Sequence, residues 1–393
     1  MSTDLHSNSQ PSRSLVLKEL FLFFFRFGAT AFGGPAAHIA MMEQELVRKR
    51  KWISSDQYLD FLGATNLIPG PNSTEMALHI GQHRAGWQGL LVAGISFVFP
   101  AAAITLGCAW FYVHFSALPQ TAALFYGIKP VVISIMMQAL WSLSKSAVKS
   151  KFLAGLGLAA VFFNGMGGGE LLVLLCAGTV SLTAYWIETK QGPKTAGSSL
   201  AALPGIKVFA VTGGATSAVV AVGLLPLFLF FLKVGSVLYG SGYVLLAFLR
   251  GDLVDHWHWL SESQLLDAFA VGQITPGPGF TTATFIGYLL GGVKGATLST
   301  VGIFLPAFFF VSISGPLIPK IRKIPAAGAF LDGVVVASLA LMAVVTTLLM
   351  KSALIDLPAL ALTAMSLALL LRYKINSSWL VLFGGVIGLL LKG

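Results

Sequence analysis

Two short stretches concentrate the residues of this chain that could do chemistry. They are Pro69, Gly70, Pro71, Asn72, Ser73 and Thr74, and again Pro276, Gly277, Pro278, Gly279, Phe280, Thr281 and Thr282. Pro-Gly-Pro cannot continue a helix, because each proline removes a backbone donor and restricts the residue before it. Apolar, helix-forming sequence nonetheless flanks both copies. A break of this kind leaves backbone amides unpaired at the start of the next half-helix, where the helix dipole is positive. The chemistry it suits is anion binding. A tetrahedral dianion in a low-dielectric site needs several donors to offset its lost hydration. Asn72, Ser73 and Thr74 in one copy, with Thr281 and Thr282 in the other, supply amide, hydroxyl and backbone donors in the first turn. The plainer reading is that Pro-Gly-Pro only lets two helical arms pack closely.

The elements that hold these stretches come from a duplication. Shifting the sequence by 207 positions aligns residues 22–74 with 229–281 without a gap, and roughly a third of the positions are identical. Matched pairs include Arg26 with Lys233, Gly33 with Gly240, Glu45 with Asp252, Asp60 with Asp267 and Pro69 with Pro276. After a one-residue gap the register continues through Gly86 with Gly292, Pro100 with Pro306 and Gly127 with Gly333. In each half a first apolar segment is broken at Gly33-Gly34-Pro35 or Gly240-Ser241-Gly242, and the next at Pro-Gly-Pro. The arms beside these breaks have only about 10 to 18 residues where a spanning helix needs about 20, so re-entrant or discontinuous helices are expected. Full spans are expected at 87–115, 121–143, 295–318 and 326–350. Shorter apolar runs follow at 152–163, 171–187, 353–371 and 379–391.

With 56% hydrophobic residues, 10% charged and a mean hydropathy of +0.82, the 393-residue chain has too few charges to coat a soluble protein of its size. The fold class expected is an all-α polytopic membrane protein. It divides into a disordered tail (1–14), a first repeat (15–187), a linker with one extra apolar segment (188–226) and a second repeat (227–393). Net charge +10 comes from short basic clusters between apolar runs, which speaks for membrane loops rather than nucleic acid. If both broken segments return to their starting side, Arg48 to Lys51, Arg84, Lys145 and Lys151 share one face and the 114–120 loop lies opposite without formal charge. The first face is then cytoplasmic. In the second half Lys320, Arg322 and Lys323 occupy the loop that carried none before, so the repeats read as inverted, with 208–225 supplying the extra crossing. A parallel duplication is the alternative. Cys108 and Cys176 lie in separate apolar runs and suggest neither a disulfide nor a metal site.

Several ionisable residues fall inside apolar sequence, where they are costly and usually functional. Arg26 and Lys233 are the candidate charge partners of an anion, with snorkelling to the interface as the alternative. Lys129 has Val335 at its matched position and could serve one half only. Glu75 and His79, one turn apart after the first Pro-Gly-Pro, are a candidate proton site, with structural hydrogen bonding as the alternative. Asp60 and Asp267 precede the two breaks and read as capping or interhelical groups that could take part in coupling. His38 has Leu245 opposite and is a weaker candidate.

The runs FGGPAAHI, NLIPGPNST, the spaced glycines of IGQHRAGWQG and the second copy QITPGPGFTTATFIGYLLGGVKGA resemble the chromate ion transporter (CHR) family in its long, two-domain form. The likeness covers nearly everything from Lys18 to the C-terminus. It implies a multi-pass carrier of the bacterial inner membrane that exports chromate, a sulfate-like oxyanion, and confers resistance, rather than an enzyme. Binding is then expected at Arg26, Gly33, Gly34, Pro69 to Thr74, Lys233, Gly240, Pro276 to Gly279, Thr281 and Thr282. No cofactor or metal is expected. The expected partners are chromate, sulfate, the lipid bilayer and a second copy of the chain. A sulfate permease or an anion channel on the same fold is the alternative. An intramembrane redox enzyme lacks any CxxC, nucleotide loop or facing haem ligands. Without the resemblance, composition and spacing stop at an anion transporter built from two repeats.

Overall fold

The computed structural model describes residues 12–115, 118–191, 223–239, 244–314, 325–373 and 375–393. The Gly240-Ser241-Gly242 break, the extra apolar segment up to residue 222, most of the expected tail and the basic loop at Lys320 to Lys323 fall outside these residues. Among the described residues every regular element is helical.

The chain opens with α1 (Arg13–Thr30), two residues earlier than expected, and α2 (Gly34–Met42), which runs on as a π-helical turn, Glu43–Lys49. Next come α3 (Ser55–Thr65) and α4 (Asn72–Phe115). The second repeat follows the same plan. It has α8 (Leu224–Val237), α9 (Leu245–Leu249) with its π turn Arg250–His256, α10 (Glu262–Ile274), and a 3-10 turn Gly279–Thr281 leading into α11 (Thr282–Ser314). Matched serines Ser54 and Ser261 cap α3 and α10 through reciprocal boxes with Gln57 and Gln264. Each box satisfies two orphan donors at a helix start. The π turns coincide in the 207-residue register, as do the left-handed residues Lys51 and His258 that end them.

α4 and α11 are helical hairpins rather than single rods. At Ala85 and Gly86, and at Gly291 and Gly292, the backbone leaves the helix, and Gly86 (φ 64°) and Gly292 (φ 59°) take the left-handed conformation that glycine tolerates without strain. The arm 72–84 therefore folds back on 87–115, with Gly81 pressed against the Gly89 carbonyl, and Gly287 meets Gly295 in the same way. At 1.5 Å per residue an arm of this length reaches only about 20 Å, short of a bilayer core. The long arms of the two hairpins lie antiparallel to each other. Gly94 sits against Phe308, while Leu90 shares an apolar cluster with Val311.

The outer helices are exchanged between repeats. The first repeat continues with α5 (Pro119–Ala147), α6 (Lys151–Gly165) and α7 (Glu170–Gln191). The second ends with α12 (Pro325–Ala353), α13 (Leu357–Tyr373) and α14 (Ser377–Lys392). α5 packs on α13 and α14, and α12 packs on α6 and α7. Matched glycines make both crossings close. A Cβ on Gly127 would strike the Gly384 carbonyl and the Gly388 backbone, and one on Gly333 would strike the Ala177 carbonyl. Small residues bring helices together in this way where lipid gives no hydrophobic drive. α12 reaches Ala353, so the run expected at 353–371 starts instead at Leu357, after a turn capped by Asp356.

Among the described residues five helices are long and apolar enough to cross a membrane, α5, α7 and α12 among them. Large apolar side chains such as Trp87, Phe99, Trp141, Phe162, Trp379 and Phe383 are exposed, as expected for a lipid-facing surface. The chain is a multi-pass, all-helical membrane protein built from two repeats. Replacing Gly127 by Leu should force α5 from α14 and cost about 1 to 3 kcal/mol. Thermal unfolding in detergent should fall accordingly, and Gly155→Leu, where a Cβ meets open space, should leave it unchanged.

Candidate functional site

Both Pro-Gly-Pro breaks lie at the centre of the molecule and each is tied to the other repeat. The Gly70 amide donates to the Leu238 carbonyl at 2.8 Å, and the Gly277 amide donates to the Ala31 carbonyl at 2.8 Å. These acceptors sit at matched positions, just past the ends of α8 and α1. His38, whose Nε2 lies 3.1 Å from the Ala31 oxygen, props the same carbonyl as a donor. Its place in the structure is thus support for the crossing. Gly277 packs on Ala101 and the Gly28 carbonyl, Gly70 on the Glu75 carboxyl and Ala307.

Three helix starts converge on one cavity. Gly33, Gly34 and Pro35 come from the start of α2; Pro71, Asn72 and Ser73 from the start of α4; Gly277, Gly279 and Phe280 from the turn into α11. The end of α10 closes the wall with Gly272, Gln273 and Thr275. Its volume is about 30 Å³ by the measure in which one water needs about 10 to 15 Å³, so it has room for water. Among the described residues no charged side chain lines it. The Thr74 and Thr281 amides donate back to the Pro71 and Pro278 carbonyls, whereas the amides of Asn72, Ser73, Gly279 and Phe280 come too early for an acceptor in their own helices, so the positive potential here comes from backbone dipoles.

Of the residues expected at the site, Gly33, Gly34, Pro71, Asn72, Ser73, Gly277 and Gly279 meet at this cavity. Pro69, Gly70, Pro276 and Pro278 form the breaks behind it and are buried. Thr74 and Thr281, a matched pair, are fully buried with hydroxyls that have no hydrogen-bond partner. Thr282 instead donates to the Gly279 carbonyl at 2.9 Å. Gly240 lies outside the described residues.

Arg26 and Lys233 stand elsewhere. Lys233 is paired with Asp252 at 2.6 Å and its side chain is 46% exposed. Arg26 is exposed and acts on the matched acid Glu45. The Glu45 carboxyl is held below the ordinary carboxylate range by its hydrogen bond to Lys49 and, more weakly, by Arg50 and Arg26. Both cations thus tie a first helix to the π turn of its own repeat. Position in an apolar run did not reveal that their side chains point outward.

Asp60 is exposed, whereas its match Asp267 is buried and faces Lys129 at 3.2 Å across the repeat boundary. Glu75 is fully buried, and neither carboxyl oxygen has a hydrogen-bond partner. His79 stacks on Phe61 at 5.6 Å, with Nε2 unpartnered. Five wall residues were not among those expected to bind: Pro35, Gly272, Gln273, Thr275 and Phe280. A signal for Gln273 was present in the repeat, since Asn66 is its match and the two amides sit at the same place before each break; Asn66 accepts from Asn72 at 3.3 Å.

Gly277 has φ 85°, and an added Cβ would also run into the Gly28 carbonyl and Ala101. Gly277→Ala should therefore cost about 1 to 3 kcal/mol of backbone strain and loosen the crossing. A lowered melting temperature in detergent and lost oxyanion-dependent stabilisation are the expected readings.

The model of the family described as chromate transporter matches the chain twice, at residues 18–182 and 225–389. A chromate transport protein of Cupriavidus metallidurans is 32% identical over 376 residues, covering 94% of this chain and 92% of the relative. A probable chromate transport protein of Synechococcus elongatus is 32% identical over 349 residues, covering 87% and 86%. A chromate transport protein of Pseudomonas aeruginosa is 30% identical over 386 residues, covering 94% and 91%. No solved structure matches the chain. With both of its repeats matched and relatives aligned over most of its length, the chain belongs to the chromate transporter family.

Proposed function

We propose that the protein is a secondary carrier that exports chromate across the bacterial inner membrane, and so confers resistance, by presenting one central cavity alternately to the two sides. The observation that carries this reading is the reciprocal crossing of the breaks, which points helix starts from both repeats at one uncharged, amide-rich cavity. Donors of this kind suit a dianion that must leave again, because a buried lysine or arginine would hold it more tightly. The antiparallel long arms of α4 and α11, and the loop charges, support repeats inverted across the membrane, with arms 72–84 and 282–290 as re-entrant half-helices. The 114–120 loop is then outside.

The oxyanion enters the cavity as the repeats move apart. Outward movement of two negative charges is favoured by an inside-negative potential by about 4 to 5 kcal/mol per 100 mV, which supports export. Glu75 is the group we assign to proton exchange, since its carboxyl is fully buried against the Gly70 break with neither oxygen hydrogen-bonded. Sulfate, of the same shape and charge, competes.

Substrate-dependent counterflow in proteoliposomes tests the reading: a carrier exchanges labelled chromate against unlabelled, a channel does not. Glu75→Gln should abolish the response of transport to a pH gradient. Ser73 is buried at the cavity with a hydroxyl, whereas its match Phe280 offers none. A hydrogen bond to a charged group is worth about 1.5 to 3 kcal/mol. Ser73→Ala should therefore raise the half-saturating chromate concentration about tenfold or more and alter sulfate competition. Phe280→Leu should change mainly packing, and normal affinity in the Ser73 variant would sink the asymmetric site.

A further inference from the structure

The repeats supply an internal control, because each polar group beside the cavity can be compared with the residue at the matched position. Along α10 and the long arm of α4 a line of polar side chains leads away from the cavity. Thr275, on the cavity wall, accepts from the buried Thr105 at 3.4 Å. Seven residues further along α4, a rise of about 10 Å, the Tyr112 hydroxyl donates to Asp267 at 2.9 Å. Lys129 lies 3.2 Å from the same carboxylate and donates to Ser263 at 2.6 Å, where Ser263 is exposed near the start of α10. Cys108 lies on the same face of α4, between Thr105 and Tyr112.

In the other repeat the acid of this line is kept, as the exposed Asp60, but the groups that lead from it to the cavity are apolar. Thr275 is matched by Ile68, Thr105 by Val311 and Lys129 by Val335. Ile68 and Val311 fall in one apolar cluster with Leu78, Leu90 and Phe308. A buried ion pair is a poor source of stability, since the desolvation of both charges offsets most of their attraction. Val335 in the place of Lys129 shows that the frame of a repeat does not require the pair.

Resting on the carrier reading above, we propose that this seam is the oxyanion's route between the cavity and the outer side, and that Lys129 is a second oxyanion-binding group on it. Lys129 leaves Asp267 for the passing dianion and returns when the ion has gone. Asp267 keeps the Tyr112 hydroxyl meanwhile, so its charge is never bare. The carboxylate also limits how long the lysine holds the ion, which a transport path needs.

The native Cys108 is the probe. In Cys176→Ala protein in sided vesicles, a membrane-impermeant thiosulfonate added from the outer face should label Cys108, and chromate or sulfate should slow the reaction several-fold. Ser314→Cys, the matched position, in a Cys108→Ala, Cys176→Ala background should stay unreactive from that face. Asp267→Asn should lower KM and kcat together, because an unopposed lysine holds the ion longer, while Lys129→Gln should lower kcat/KM about tenfold or more. Labelling of Cys108 no faster than that of Ser314→Cys, labelling indifferent to chromate, or an Asp267→Asn variant with unchanged KM would overturn the proposal. Chromate transport by the unmodified protein, measured in the same vesicles, separates the failures: transport without protection overturns the seam alone, and no transport overturns the carrier reading with it.

Discussion

Everything at the centre of this protein depends on where two backbone amides go. Within the membrane a peptide group that leaves a helix finds no water to pair with, so it must find protein. The glycines of the two Pro-Gly-Pro breaks solve this reciprocally, Gly70 on Leu238 and Gly277 on Ala31. Each acceptor is freed because α8 or α1 ends there. Two interrupted helices in one repeat thus complete two in the other, and the amides left over face a common space. The cavity is a by-product of satisfying the backbone. At its wall the repeats differ: Ser73 stands against Phe280, and Gln273 against Asn66, which lies off the wall.

The duplication, the breaks and the all-helical class were legible in the sequence because each has a local cause. Pro-Gly-Pro cannot be helical, Ser with Gln three residues on starts a helix, and glycine marks the reversal at 86 and 292. The 207-residue register predicted which features would recur, and the π turns and left-handed residues fall on it. What stayed illegible concerns direction and partnership. Whether Arg26 and Lys233 faced the cavity depended on helix rotation, which a uniformly apolar segment such as 22–32 does not encode in its periodicity. The pairing of Lys129 with Asp267 needed α5 and α10 to be brought together by the exchange of outer helices, a tertiary fact with no local signature.

Repetition followed by divergence explains the division of labour seen here. The frame is kept: matched caps, matched reversals, matched glycine crossings. Three titratable groups are not, since Glu75 faces Thr282 in the register, His79 an apolar residue and Lys129 a valine. A symmetric scaffold with asymmetric charge can move between two related arrangements at small cost in packing, while its two faces treat an ion differently.

The exchanged outer helices carry a consequence for how the chain is made. α5 is synthesised early, but the surface it buries belongs to α13 and α14, the last helices of the chain. Until they arrive, the groove around Gly127 faces lipid or another nascent helix, exposed to whatever small-residue partner is nearby. The first repeat therefore cannot mature as a separate unit during synthesis. Assembly must wait for α13 and α14, which close that groove.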